Sequence, residues 1–182
     1  MIEVEVKAHA KNFNDVKRKL EEINAIKTKF EHQKDTYFNN PNYRDFEITD
    51  EALRIRNTTT DGKSEIILTY KGAKMDDVSK TRKELEVNVE NFQQMSSILE
   101  NLGFKPVADV EKERTTYMFN EFIISLDNVF KVGKFVEIEK EAAEGEEFEE
   151  IIEEIFEIYK KIGIEDGFER KSYLELMGIY KG

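Results

Sequence analysis

The sequence predicts an α+β fold: about eight antiparallel strands closed into a β-barrel around a polar tunnel, with amphipathic helices packed outside. Two patterns in the 182-residue chain carry this. Its strand-like runs alternate apolar residues with charged ones. Three further segments repeat apolar residues at helical spacing, and their stripes need an apolar surface to cover. If the strands turn their apolar faces out to those helices, their charged faces line the interior of the closed sheet.

The elements follow in order. Ile2, Val4 and Val6 alternate with Glu3, Glu5 and Lys7, a strand. Phe13, Val16, Leu20 and Ile23 then make one helical stripe. Residues 25–38 read as extended. Residues 53–57 and 65–72 flank Asp61-Gly62, a hairpin turn signal. On that pair Arg54 and Arg56 alternate with Leu53 and Ile55, and Thr69 and Lys71 with Leu68 and Tyr70. Arg82, Glu84 and Glu86 oppose Leu85 and Val87, and Phe92, Met95, Leu99 and Leu102 repeat the helical stripe. Residues 103–119 and 121–129 form a second long pair turning near Asn120. Lys112 and Arg114 share one face there, and Ser125 and Asp127 oppose Ile124 and Leu126. Last come Glu137 and Glu139, opposing Val136 and Ile138, and the stripe Phe148, Ile151, Ile155, Ile158. The unit of a Glu-x-Glu strand followed by a helix thus occurs three times. The unequal lengths between the copies favour independent solutions to one packing problem over an internal repeat. Pro41 and Pro106 fall at strand ends, residues 39–51 and 73–80 read as loops, and without a linker residues 1–182 read as one domain.

Composition narrows the function. With 28 basic and 39 acidic residues the net charge is −11. That disfavours a nucleic-acid duplex or a membrane surface as partner, since both reward positive fields. Cysteine is absent, so there is no disulfide, thiolate metal site or cysteine nucleophile. Zinc is disfavoured because only His9 and His32 offer imidazole. The opening residues do not read as a signal peptide and no apolar run approaches membrane-spanning length, so a cytoplasmic location is expected.

Two readings of the charged faces stay open. Alternating charge on one strand is usually a solvated face with cross-strand pairs. Many strands showing it together, in both signs, point instead to a wet tunnel that receives a charged ligand, because burying such groups for structure alone gains little. In that tunnel Lys7, Arg54, Arg56, Lys71, Arg82, Lys112 and Arg114 suit phosphate oxygens. Glu3, Glu5, Glu84, Glu86, Asp127, Glu137 and Glu139 suit Mg²⁺ or Mn²⁺, hard ions that take oxygen ligands. His32 reads as a surface residue that could otherwise face the tunnel mouth, and Tyr37, Phe38 and Tyr117 as core aromatics that could otherwise stack on a base. The acidic run 144–150 reads as a solvated helix start.

These motifs resemble a family. Glu3-Val4-Glu5-Val6-Lys7 is similar to the Glu-x-Glu-x-Lys opening of the CYTH superfamily, the triphosphate tunnel metalloenzymes. Asp35–Phe38, Leu53–Arg56, Leu68–Gly72, Arg82–Glu86, Lys112-x-Arg114-x-x-Tyr117, Ser125–Asp127 and Phe135–Glu139 follow in the family's order. Residues 41–56 and Arg170–Tyr173 look most like the CyaB-like class IV adenylyl cyclase branch. The resemblance implies conversion of ATP to cyclic AMP and pyrophosphate with Mg²⁺ or Mn²⁺, two ions in all. Sister branches are triphosphatases of tripolyphosphate, thiamine triphosphate or nucleoside triphosphates, and a non-catalytic nucleotide or polyphosphate binder is the alternative of another class. By the same resemblance Asp127, Glu137 and Glu139 are the main metal ligands, and Glu3 and Glu5 hold a second metal or orient water. The basic residues above grip the phosphates, Glu84 and Glu86 bind metal or brace those residues, and Glu5, Lys7, Asp127 and Glu137 form the catalytic set. Relatives of this kind commonly form homodimers.

Overall fold

The computed structural model describes residues 2–143 and 146–180. Eight strands form one closed barrel: β1 (Ile2–His9), β2 (Ile26–Asn39), β3 (Ala52–Thr60), β4 (Lys63–Lys71), β5 (Arg82–Asn88), β6 (Lys105–Phe119), β7 (Phe122–Val129) and β8 (Gly133–Glu141). Around the barrel they run β1, β5, β4, β3, β2, β6, β7, β8, every neighbour antiparallel. The turns follow from the sequence. Asp61 and Gly62 both take positive φ, 49° and 77°, the two-residue turn whose twist matches flanking antiparallel strands. Asn120, at φ 54°, begins the turn between β6 and β7. The thinnest seam is β1 with β5, paired through Ile2↔Lys83 and Glu3↔Arg82.

The three long helices are α1 (Phe13–Glu22), α3 (Phe92–Asn101) and α4 (Phe148–Lys161); α2 (Phe46–Thr49) and α5 (Tyr173–Leu176) are single turns. Side chains of Asn12 and Asn91 cap α1 and α3 by accepting from Asn14 N and Gln94 N. Helix α4 instead carries Glu149 and Glu150 in its first turn and Lys160 and Lys161 in its last, as the helix dipole favours. Each long helix stops at a residue with left-handed backbone: Asn24, Gly103 and Gly163.

These helices cover the barrel from outside. Val4, Val6, Ile124, Leu126, Val136 and Ile138 meet Val16 and Leu20 of α1 and Ile151, Ile155 and Ile158 of α4 in the main core. Phe38, Leu53 and Ile55 meet Leu99 of α3 in a second one. The alternation then sends the charged residues singled out above inward, while Lys34, Asp109 and Glu111 pair on the outer face. The acidic stretch enters α4 as expected; residues 144 and 145 of it lie outside the described part. Among the described residues no helix is long and apolar enough to cross a membrane.

Two segments differ from expectation. Residues 39–51 are a built turn and not a plain loop. Asp45 caps α2, Asn39 Oδ1 accepts from Phe46 N at 2.9 Å, and buried Glu51 takes both nitrogens of the Arg44 fork at 2.8 Å. The C-terminal segment, for which strand and helix periodicity offer no signal, folds over one barrel mouth. There α5 is fixed by a capping box between Ser172 and Glu175.

Candidate active site in the barrel tunnel

The barrel encloses a cavity of about 870 Å³, within the upper range of ligand sites. Of the residues singled out from sequence, Glu3, Glu5, Arg54, Arg56, Lys71, Arg82, Glu84, Glu86, Lys112, Arg114, Glu137 and Glu139 line it. Lys7 and Asp127 do not; they lie behind Tyr173 of α5.

On one wall Asp35, wholly buried on β2, holds the β3 arginines. Arg56 donates from Nε and Nη2 to its two oxygens at 2.7 Å each, and Arg54 Nη1 donates at 3.4 Å. Burial alone raises the Asp35 pKa, but Arg56 and Arg54 outweigh it and hold the carboxyl well below the usual range. The sign follows. A depressed folded-state pKa means a contribution complete above the unfolded value of about 3.9 and lost as pH falls through the folded one. Asp35→Asn is therefore expected to cost about 3 kcal/mol at neutral pH. The gap from wild type should narrow below about pH 4, as urea unfolding at a series of pH values would read. A gap independent of pH would contradict the ion-pair account. The same wall carries Lys71, whose ammonium donates to Glu84 and, at 3.4 Å, to Glu3. Glu86 accepts from Thr69 at 2.8 Å.

The opposite wall is a tighter network. Asp127, 0% exposed, accepts from Lys112 Nζ at 2.9 Å, from Arg114 Nε at 2.7 Å and from Arg114 Nη2 at 2.6 Å. Arg114 Nη2 also donates to Glu137 Oε2 at 2.5 Å. The Tyr173 hydroxyl lies 2.8 Å from Glu137 Oε1 and 3.1 Å from Asp127 Oδ2. Both Asp127 oxygens thus take side-chain donors in this arrangement. Lys7 is likewise turned from the cavity: its ammonium donates to Lys171 O and stacks 4.2 Å from the Tyr173 ring centroid. Burial, reinforced by Lys80, lowers the Lys7 pKa to about 7, and burial with Arg114 lowers that of Lys112 to about 8.

Between the walls stand Glu3, Glu5 and Glu139, each offering an oxygen within 4.8 Å of the others. Burial first, then Glu3, pushes Glu139 up to about 8. Hard oxygen donors this close are the donor set that Mg²⁺ or Mn²⁺ takes.

Other placements are plain. His32 is exposed on the outer face, 6.2 Å from Phe130. Tyr37 lines the cavity, while Phe38 and Tyr117 are core. Lys74, Lys80, Arg170 and Tyr173 also line the cavity, unforeseen from sequence. Lys80 carried a signal, since it extends upstream the alternation of Arg82, Glu84 and Glu86. Arg170 and Tyr173 reach the site through tertiary docking, which no local pattern reports.

A closed antiparallel barrel, covered by helices and charged within, defines the class. Residues 1–173 match the CYTH domain family, and the chain belongs to it. Members are metal-dependent tunnel enzymes of the adenylyl cyclase and triphosphatase type that act on triphosphates. The chain is 42% identical over 180 residues to a Methanocaldococcus jannaschii protein provisionally named an adenylate cyclase, covering 98% of this chain and 100% of the relative. It is 41% identical to the PH1819 protein of Pyrococcus horikoshii, a solved structure, with a TM-score of 0.89 over 96% of this chain and 97% of that one. HpAC1 of Hippeastrum is also named provisionally as an adenylyl cyclase, and its described activity is dominantly triphosphatase. It shares the fold at 18% identity, with a TM-score of 0.67 over 97% of this chain and 95% of that one.

Proposed function

We propose that this protein converts ATP to cyclic AMP and pyrophosphate in its tunnel, with a divalent cation held by Glu3, Glu5 and Glu139. The observation that carries this reading is the close group of three carboxylates facing a row of arginines and lysines inside one cavity. A site for phosphate alone would do better without the carboxylates. When bound there, Mg²⁺ or Mn²⁺ supplies Lewis-acid polarisation of phosphate oxygens and lowers the pKa of the attacking hydroxyl. The chain's own residues do the rest. Arg54, Arg56, Arg82, Lys71, Lys112 and Arg114 bind the triphosphate, the arginines with planar forks and the lysines as point charges. Asp35 and Asp127 hold those cations in place. Glu137 sits between Arg114 and Tyr173, aligning the guanidinium that faces the cavity. Charge developing on the leaving pyrophosphate is met by groups already oriented. The cavity also has neutral and apolar lining at Ile67, Met118 and Ile123, a surface suited to a nucleoside and unneeded by tripolyphosphate.

The second reading is a triphosphatase, favoured by the fact that the ion-paired side chains of the tunnel are suited to phosphates and not to a base. The HpAC1 relative shows that this fold can carry such an activity. A phosphorus NMR time course separates the two, using ATP and tripolyphosphate with Mg²⁺ or Mn²⁺. Cyclic AMP with pyrophosphate from ATP is the expected result. Orthophosphate from either compound would overturn the cyclase reading in favour of hydrolysis.

A further inference from the structure

Lys80 is a cation that the acidic group already engages through Glu5, as Lys71 is through Glu3. It lies in the segment between β4 and β5, and its backbone N–H donates to the Glu5 carbonyl at 2.8 Å. Its ammonium donates to Glu5 Oε1 and stands 3.8 Å from Glu137 Oε1. The segment that delivers it is built. Asp76 Oδ1 accepts from Val78 N and Ser79 N at 2.7 and 2.6 Å, and Lys74 N donates to Asp50 Oδ2 at 2.9 Å. From the C-terminal strap Arg170 Nη2 donates to Asp76 O at 2.6 Å. The ammonium fixed in this way occupies Glu5 Oε1, on the carboxylate that also belongs to the close group with Glu3 and Glu139, and like them Lys80 lines the cavity. A divalent ion bound by those oxygens would meet Lys80 at contact distance, where like charges repel strongly.

We propose that Lys80 and the divalent cation compete for Glu5, and that the displaced Lys80 ammonium becomes a ligand of the triphosphate oxygens. This rests on the metal-dependent reading above and adds a coupling to it. Metal binding releases Lys80 toward the phosphates, and phosphates give Lys80 a second partner, so each ligand strengthens the other. The backbone tie between Lys80 and Glu5 keeps the side chain in reach of both positions. The long lysine stem lets its ammonium swing while its backbone stays tied to Glu5 of β1.

Calorimetric titration of the full chain with Mn²⁺, with and without a methylene-bridged, uncleavable ATP analogue, tests this on wild type and Lys80→Met. Lys80→Met is expected to bind Mn²⁺ about tenfold more tightly than wild type, and the analogue with Mn²⁺ about tenfold more weakly. Lys80→Arg, which keeps the charge, should stay near wild type for Mn²⁺. Equal or weaker Mn²⁺ binding by a Lys80→Met protein with native circular dichroism overturns the exchange. So does a wild type whose Mn²⁺ affinity is unmoved by the analogue, a result that needs no variant. Wild type that binds no Mn²⁺ at all removes the metal-dependent reading itself, and the exchange with it.

Discussion

Glu139→Gln should abolish turnover and yet make the metal-free protein harder to unfold. Glu3, Glu5 and Glu139 hold oxygens within 4.8 Å of one another, and burial together with Glu3 pushes Glu139 up to about 8. Folding therefore works first against the burial of the Glu139 carboxylate and second against its repulsion from Glu3. An amide of the same shape needs neither the buried charge nor the proton that folding imposes on Glu139 at neutral pH. The relief should be about 1 kcal/mol, discounted because Glu139 keeps some solvent contact. For a chain of this size that is a rise of about 2–4 °C in the melting temperature measured in chelator. The same change removes one anionic ligand, and turnover with Mn²⁺ should fall at least about 10²-fold. Opposite signs in the two measurements mark a group placed for function at a cost in stability. A variant that melts lower in chelator, or turns over like wild type, would remove Glu139 from the proposed metal site.

Much of this site was legible because two periods overlay one another. Strand alternation of period two placed Glu3, Glu5, Arg54, Arg56, Lys71, Arg82, Lys112, Arg114, Glu137 and Glu139 on one face of their strands. The helical stripes at Phe13–Ile23, Phe92–Leu102 and Phe148–Ile158 decided that this face points inward. Depth along the tunnel was not legible. Lys7 and Asp127 obey the same alternation as their neighbours, yet they sit at the mouth that Tyr173 covers. That contact joins residues far apart in sequence, so no local pattern reports it. Lys80 was missed for a different reason: Asp76 and Ser79 read as loop chemistry, and the alternation was counted only from Arg82. The turn at residues 39–51 escaped because its order depends on Glu51 accepting from Arg44, Thr49 and Tyr70 together.

Asp127 anchors two buried cations, and its replacement should cost more than any other in the tunnel. The family pattern makes it a metal ligand. Its oxygens accept from Lys112, Arg114 and Tyr173, with the side chain 0% exposed. Removing it leaves the Lys112 ammonium and the Arg114 guanidinium short of a counter-charge in a buried place. Asp127→Ala should therefore lose about 3–5 kcal/mol of stability by urea unfolding at neutral pH. Glu137 remains hydrogen-bonded to Arg114 but reaches Lys112 only through space, so triphosphate binding should weaken as well. Asp127→Asn separates the two accounts, because it keeps the shape and still accepts one hydrogen bond. A ligand turned to amide would weaken Mn²⁺ binding about 10-fold or more, whereas a support behind the cations leaves it near wild type. Unchanged Mn²⁺ affinity with weakened binding of an uncleavable triphosphate would place Asp127 as the anchor of Lys112 and Arg114. A matching loss in both would return it to the metal, and the network around Tyr173 would then have to open for the ion to reach it.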